Sequence, residues 1–217
     1  MAEKEPERDE RRGQCLPVGM IAAAGAATLL GALAFNKTRE RVRLRAHEQV
    51  LEELAQELGA QFTPSRSGAP TGPDFPSLTM KSDDREVRID TEVGGSGLSY
   101  QILTRATATH TAPVEGFVVI REETLLTRMA DHLGLADIQV NEPAFDDRFE
   151  VISDQADAAA LLHPEVRDAL MASSFESVVI RQGEVTVRQI GPVTDPEKLR
   201  QSIQLAVDIA EWLETLG

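Results

Sequence analysis

Residues 85–110 read REVRIDTEVGGSGLSYQILTRATATH, and the parsing of this stretch decides the fold. Polar and apolar residues alternate through REVRIDTEV, the period of a strand with one buried face. GGSG interrupts the pattern, and a second strand-like run, LSYQILTRATATH, begins at once. So short a connection joins antiparallel neighbours, since parallel strands need a crossover of about a dozen residues or more. GGSG leads into a strand rather than a helix, so it lacks the helix N-terminus of a phosphate-binding loop and reads as a hairpin turn.

The same grammar extends on both sides. LTMKS before this stretch and GFVVIRE after it are further strands with no helix-length segment between them. A helix is expected over Glu123–Leu133, with Leu125, Leu126, Met129 and Leu133 on one side. Next come a short strand, DIQV, and another, FEVIS. DQADAAALL and PEVRDALMA read as two helices hinged at Pro164, which cannot continue the first. SVVIRQGEVTVRQI is a hairpin turning at Gln182-Gly183. The last element is a helix capped by Asp195 with Pro196 in its first turn, its apolar stripe running through Leu199, Ile203, Ala206, Ala210 and Leu213. The expected fold class is α+β, an antiparallel sheet with packed helices occupying residues 59–217. Aromatics are only 4% of the chain, so the core must be aliphatic.

Upstream, TPSRSGAPTGPDFPS (63–77) is Pro- and Gly-rich and reads as a loop. Residues 36–58 form a juxtamembrane amphipathic helix, in which Leu44, Leu51 and Leu58 stand seven apart beside Val50, Leu54 and Ala55, with Gly59 as C-terminal cap. Before it, residues 16–35 read LPVGMIAAAGAATLLGALAF, uncharged throughout in a chain that is 27% charged. At 1.5 Å per residue this run rises ~30 Å, the thickness of a bilayer hydrocarbon core. The acidic tail of residues 1–15 and the length of the run argue against a cleaved secretory signal. The expectation is one transmembrane helix in contact with membrane lipid. Lys37, Arg39, Arg41, Arg43 and Arg45 crowd its C-terminal end against Arg11 and Arg12 just before it, which orients the C-terminal domain toward the cytoplasm. Gly19, Ala23, Ala27 and Gly31 recur every fourth residue, a small-residue face on which two such helices can approach as a homo-oligomer.

The formal charge is −14, and residues 59–217 carry −13 of it. A domain so acidic repels phosphate backbones, so no nucleic acid partner is expected. The single Cys15 excludes an internal disulfide. Asp146, Asp147, Glu150 and Asp154 form the densest acidic patch, yet they lack the spacing and glycine of a calcium loop and alternate in direction along a strand. His47, His110, His132 and His163 are scattered singly, with no helical i, i+4 pair and no nucleophile motif nearby. No catalytic, cofactor or metal residues are therefore assigned.

FDDRFEVISDQADAAALLHPEVRDAL, the following VVIRQGEVTVRQIG with its terminal helix, and LEELAQELGAQF resemble a loose group of bacterial single-pass membrane-anchored proteins of unknown function. The resemblance implies an α+β domain behind a membrane anchor and brings no catalytic residues. Together these features lead to the expectation of a membrane-tethered interaction or scaffold module with a protein partner. The alternative is a ligand sensor or hydrolase whose site is assembled from distant residues.

Overall fold

The computed structural model describes residues 39–65, 75–94, 101–122, 138–155 and 158–216. The apolar segment 16–35, most of GGSG and the helix expected over Glu123–Leu133 lie outside these residues. Among the described residues no helix is long and apolar enough to cross a membrane. One compact unit runs from Val42 to Gly217 and includes most of the helix α1, residues 39–58.

Among the described residues the fold is α+β, with a single antiparallel sheet of eight strands. They are β1 (Gln61–Thr63), β2 (Ser77–Ser82), β3 (Arg85–Gly94), β4 (Gln101–Thr109), β5 (Phe117–Glu122), β6 (Phe149–Ser153), β7 (Ser177–Arg181) and β8 (Glu184–Ile190). Three further helices among the described residues are α2 (Pro143–Asp146), α3 (Pro164–Ala172) and α4 (Pro196–Thr215). The spatial order is β1-β2-β3-β4-β8-β7-β5-β6, so the chain lays down four strands in sequence and joins the second four to them along a β4–β8 seam.

Register carries one apolar face across the whole sheet. Leu78 lies opposite Ile89, Ile89 opposite Ala106, Ala106 opposite Val187, Val187 opposite Val178, Val178 opposite Ile120, and Ile120 opposite Val151. All are buried, and α4 crosses this face over β4 and β8. The α4 stripe read from sequence is the buried one, joined by Leu205, Val207 and Ile209, and the Asp195 carboxylate accepts from the Glu197 N–H at 3.0 Å as its cap. Burying each such Leu or Ile stabilises by roughly 1.5–3 kcal/mol.

Helix α1 docks on the same layer through Leu44, His47, Leu51, Leu54 and Ala55. Its His47 Nδ1 donates to the Val193 carbonyl at 2.6 Å, and its Nε2 takes the Thr91 hydroxyl of β3 at 3.3 Å. Gly59 ends the helix at φ +64, where the Ala60 N–H bonds back to the Ala55 carbonyl at 2.8 Å. The loop after β8 is fixed from the other side: Thr104 donates to the Gly191 carbonyl at 2.7 Å and accepts from the Val193 N–H at 3.2 Å.

Two expected elements differ. Of the DIQV strand, the described residues Ile138, Gln139 and Val140 form no strand, because Val140 and Glu142 give their N–H groups to the Asp146 carboxylate at 3.0 and 3.1 Å and Asn141 turns at φ +60. Ile138 keeps one bond to the Val151 carbonyl, and α2 follows instead. Among the described residues of DQADAAALL, Ala158–Leu161 forms one 3₁₀ turn, and Asp154 and Gln155 still belong to the β6 exit. There the Ser153 hydroxyl accepts from the Gln155 N–H at 2.9 Å.

Candidate functional site

Helix α3 starts at Pro164, whose missing N–H costs nothing at a first helical position, and it packs on α4 through buried Val166 and Leu170. On α4, Asp208, Glu211, Trp212 and Thr215 sit at i, i+3, i+4 and i+7, one outward stripe. On α3, Glu165 and Ala169 are one turn apart. The two stripes enclose a groove of about 380 Å³ floored by Val166 and Ile209. The Trp212 ring, half-buried, stacks on His163 with centroids 5.2 Å apart and planes at 22°.

The rim is acidic and its charges are uncompensated. The Glu165 and Glu211 side chains take neither an ion pair nor a hydrogen bond from any described residue, and Asp208 accepts only from Gln204 Nε2 at 2.6 Å. Several acidic side chains elsewhere are paired. On the sheet face opposite α4, Arg105 holds Asp90 through two bonds of 2.6 and 2.8 Å and Glu92 through one of 2.6 Å. Arg88 joins at Asp90 and Arg188 reaches Glu92 at 3.4 Å, giving a five-residue lattice over β3, β4 and β8. The Asp90 hydrogen bond, above all, raises the Arg105 pKa above its ordinary value. Glu214, one residue before Thr215, accepts from the Thr111 N–H and pairs with Arg85, which in that order hold its carboxyl below the usual range.

A second hollow of about 380 Å³, lined by Arg45, Glu48, Gln49, Glu52, Phe62 and Pro64, has mixed charge. Its Glu48 is committed to the Ser65 N–H at 2.9 Å and hydroxyl at 3.0 Å. The α3–α4 groove is thus where unpaired charge, an aromatic ring and an apolar floor meet.

The four carboxylates that looked densest in sequence do not converge. Asp146 caps the turn into α2, Asp147 is exposed at its C-terminal end, Glu150 pairs with Arg121 at 2.6 Å, and Asp154 accepts from the Phe117 N–H at 2.8 Å. Among the described residues no three His, Cys, Asp or Glu side chains are grouped to hold a metal. Of the histidines, His47 is buried and held below its ordinary pKa first by desolvation, and His110 Nε2 donates to the Arg181 carbonyl at 2.9 Å. His163 stacks on Trp212, and His132 lies outside the described residues.

Sequence reasoning missed the groove because Glu165 and Glu211 belong to different helices, and their approach depends on how α3 packs. One signal was present: Trp212, the sole tryptophan, falls outside the Leu199–Leu213 apolar stripe and so needs another reason to be there.

The chain matches no family model and no curated protein. Among solved structures it is similar to the mycobacterial trehalose monomycolate transport factor A, TtfA, with a TM-score of 0.53 at 13% sequence identity, over 78% of this chain and 95% of that one. At that identity the likeness is one of fold.

Proposed function

We propose that this chain is a membrane-tethered interaction module of a bacterium, in which residues 16–35 span the bilayer once and the α+β domain, on the cytoplasmic side, engages a protein partner without catalysing a reaction. The observation that carries the reading is the α3–α4 groove. Its unpaired Glu165 and Glu211 rim an apolar floor with no cation among the lining residues. The groove lies open between two helices, a setting that suits a segment of another chain better than an enclosed small substrate. A protein named as a transport factor has a similar fold, which is in keeping with an accessory rather than a catalytic part. The small-residue face of Gly19, Ala23, Ala27 and Gly31 adds a route to self-association inside the bilayer. The resemblance to bacterial single-pass anchored proteins belongs to the same proposal.

Two measurements test it together. Protease digestion of sealed vesicles, read with an antibody to the C-terminus, should cut the domain only in inverted vesicles and leave an intact anchor. Cross-linking in native membranes followed by detergent extraction should recover a stoichiometric protein partner. Cleavage from the outside sinks the orientation, release of a shortened soluble chain sinks the anchor, and extraction of an uncross-linked monomer alone sinks the interaction module.

A further inference from the structure

Resting on that reading, we infer that the α3–α4 groove docks a cationic amphipathic segment of the partner protein, with Lys or Arg side chains meeting Glu165 and Glu211 and apolar side chains covering Ala169 and the Trp212 ring. The argument begins with charge complementarity. Glu165, Asp208 and Glu211 line the groove with no cation among its lining residues. Two of the three have no partner within the described chain, whereas carboxylates such as Asp90, Glu92, Glu150 and Glu214 are each neutralised by arginine. Like charges gathered on one rim repel one another, and a bound cation removes that cost while reaching the rim in partly desolvated surroundings. An acidic rim also refuses an anionic lipid surface or a nucleic acid.

The floor requires more than charge. Val166 and Ile209 at its base are already buried, so the apolar surface left for a partner's apolar side chain to cover is that of half-buried Ala169 and the Trp212 ring. Trp212 adds a ring held in place by His163, and an ordered aromatic is a common anchor of binding energy. The stripe from Asp208 to Thr215 rises ~10 Å, about two helical turns, which matches the i, i+3, i+4, i+7 spacing of an amphipathic helix. Cations beside an apolar stripe at that spacing are the chemistry the groove complements.

The experiment uses the full-length protein in a non-ionic detergent and reads the emission of Trp212, the only tryptophan of the chain. The probe is a synthetic amphipathic peptide of about 18 residues, long enough to form helix, with Lys and Arg beside a Leu stripe. Its counterpart carries Glu at every cationic position. The cationic peptide should change the Trp212 emission saturably and bind more weakly as salt rises, and the acidic one should do neither. The double variant E165Q/E211Q should weaken binding at least tenfold. A charge-matched double variant on exposed positions away from the groove, E115Q/E176Q, should leave it within twofold.

Equal losses in the two variants would reduce the effect to the general acidity of the domain and overturn the proposal, as would saturable binding without any change in Trp212 emission. A concentration-dependent dimer in the absence of peptide, abolished by E165Q/E211Q, would assign the groove to a second copy of this chain and overturn it as well. Cross-linking of E165Q/E211Q in membranes keeps the two readings apart. If a partner is still recovered at the native level, the module stands and the groove assignment falls; if the native chain recovers none, it is the module that falls.

Discussion

The two faces of the eight-stranded sheet solve the same problem in different currencies. The face under α1 and α4 is carried by close-packed aliphatic side chains such as Ile89, Val118, Val178 and Val187, each fully buried. The opposite face over β3, β4 and β8 is carried by the Arg88–Asp90–Arg105–Glu92–Arg188 lattice, whose members keep between 14% and 48% of their side-chain surface. Apolar burial is non-directional and scales with area, so the helix-covered face holds the fold. Partly exposed ion pairs contribute little, because water and salt already serve those charges well. The register sets Arg105 opposite Asp90 across β3 and β4 but opposite Arg188 across β4 and β8, and Glu92, which pairs with both guanidinium groups, offsets that like-charge contact.

The sharpest way to break this contrast is one truncation on each face, read by chemical denaturation of the detergent-solubilised chain. Ile89→Ala, under the helices, is expected to cost about 2–5 kcal/mol, from lost burial and the cavity left behind. His47→Ala should come next at about 1–3 kcal/mol, because the Val193 carbonyl loses its buried donor. This residue also sets a pH dependence. Desolvation lowers its pKa in the folded state, so the unfolded chain takes up the proton first as pH falls below about 6.5. The stability it supports is complete above that pH and is lost as pH falls toward the folded value. The melting temperature should therefore drop over this range in the native chain and drop less in His47→Ala; parallel curves would remove His47 as the cause. Arg105→Ala, on the opposite face, is expected to cost no more than about 1 kcal/mol, and less at high salt. A loss matching Ile89→Ala would overturn the ranking of the two faces. The smallest effect belongs to E165Q/E211Q, within about 0.5 kcal/mol, since neither carboxylate has a partner to lose. A marked destabilisation there would mean the rim serves folding rather than binding.

Local pattern made the elements legible and left their assembly hidden. The 177–190 hairpin could be read because Gly183 adopts φ +79 at a turn that asks for it, and α4 because its cap, proline and stripe agree. The loop placed over 63–77 overlaps both β1 and β2 at its ends, and the three residues of β1 were too few to show a period. DIQV had strand-like composition, yet a carboxylate six residues on from Val140 took its N–H first. No periodicity announces that β4 pairs with β8, because the partners of Thr104–Thr109 lie at 184–189 and are chosen by the shared apolar face. The groove suffers from the same distance, its two walls being separated by an intervening hairpin.

That seam has a kinetic consequence. The β2–β3–β4 meander and the β7–β8 hairpin close short loops and can form early, but the eight-stranded sheet is complete only when chain segments some eighty residues apart in sequence meet. The rate of folding should therefore be set by closing the β4–β8 seam, placing the chain among slow folders in the millisecond-to-second range. Until that closure, two half-sheets present unpaired edges at β4 and β8, and during synthesis the first must wait for the second. A partner or chaperone that shields the β4 edge in that interval would raise the yield of folded protein without altering its final stability.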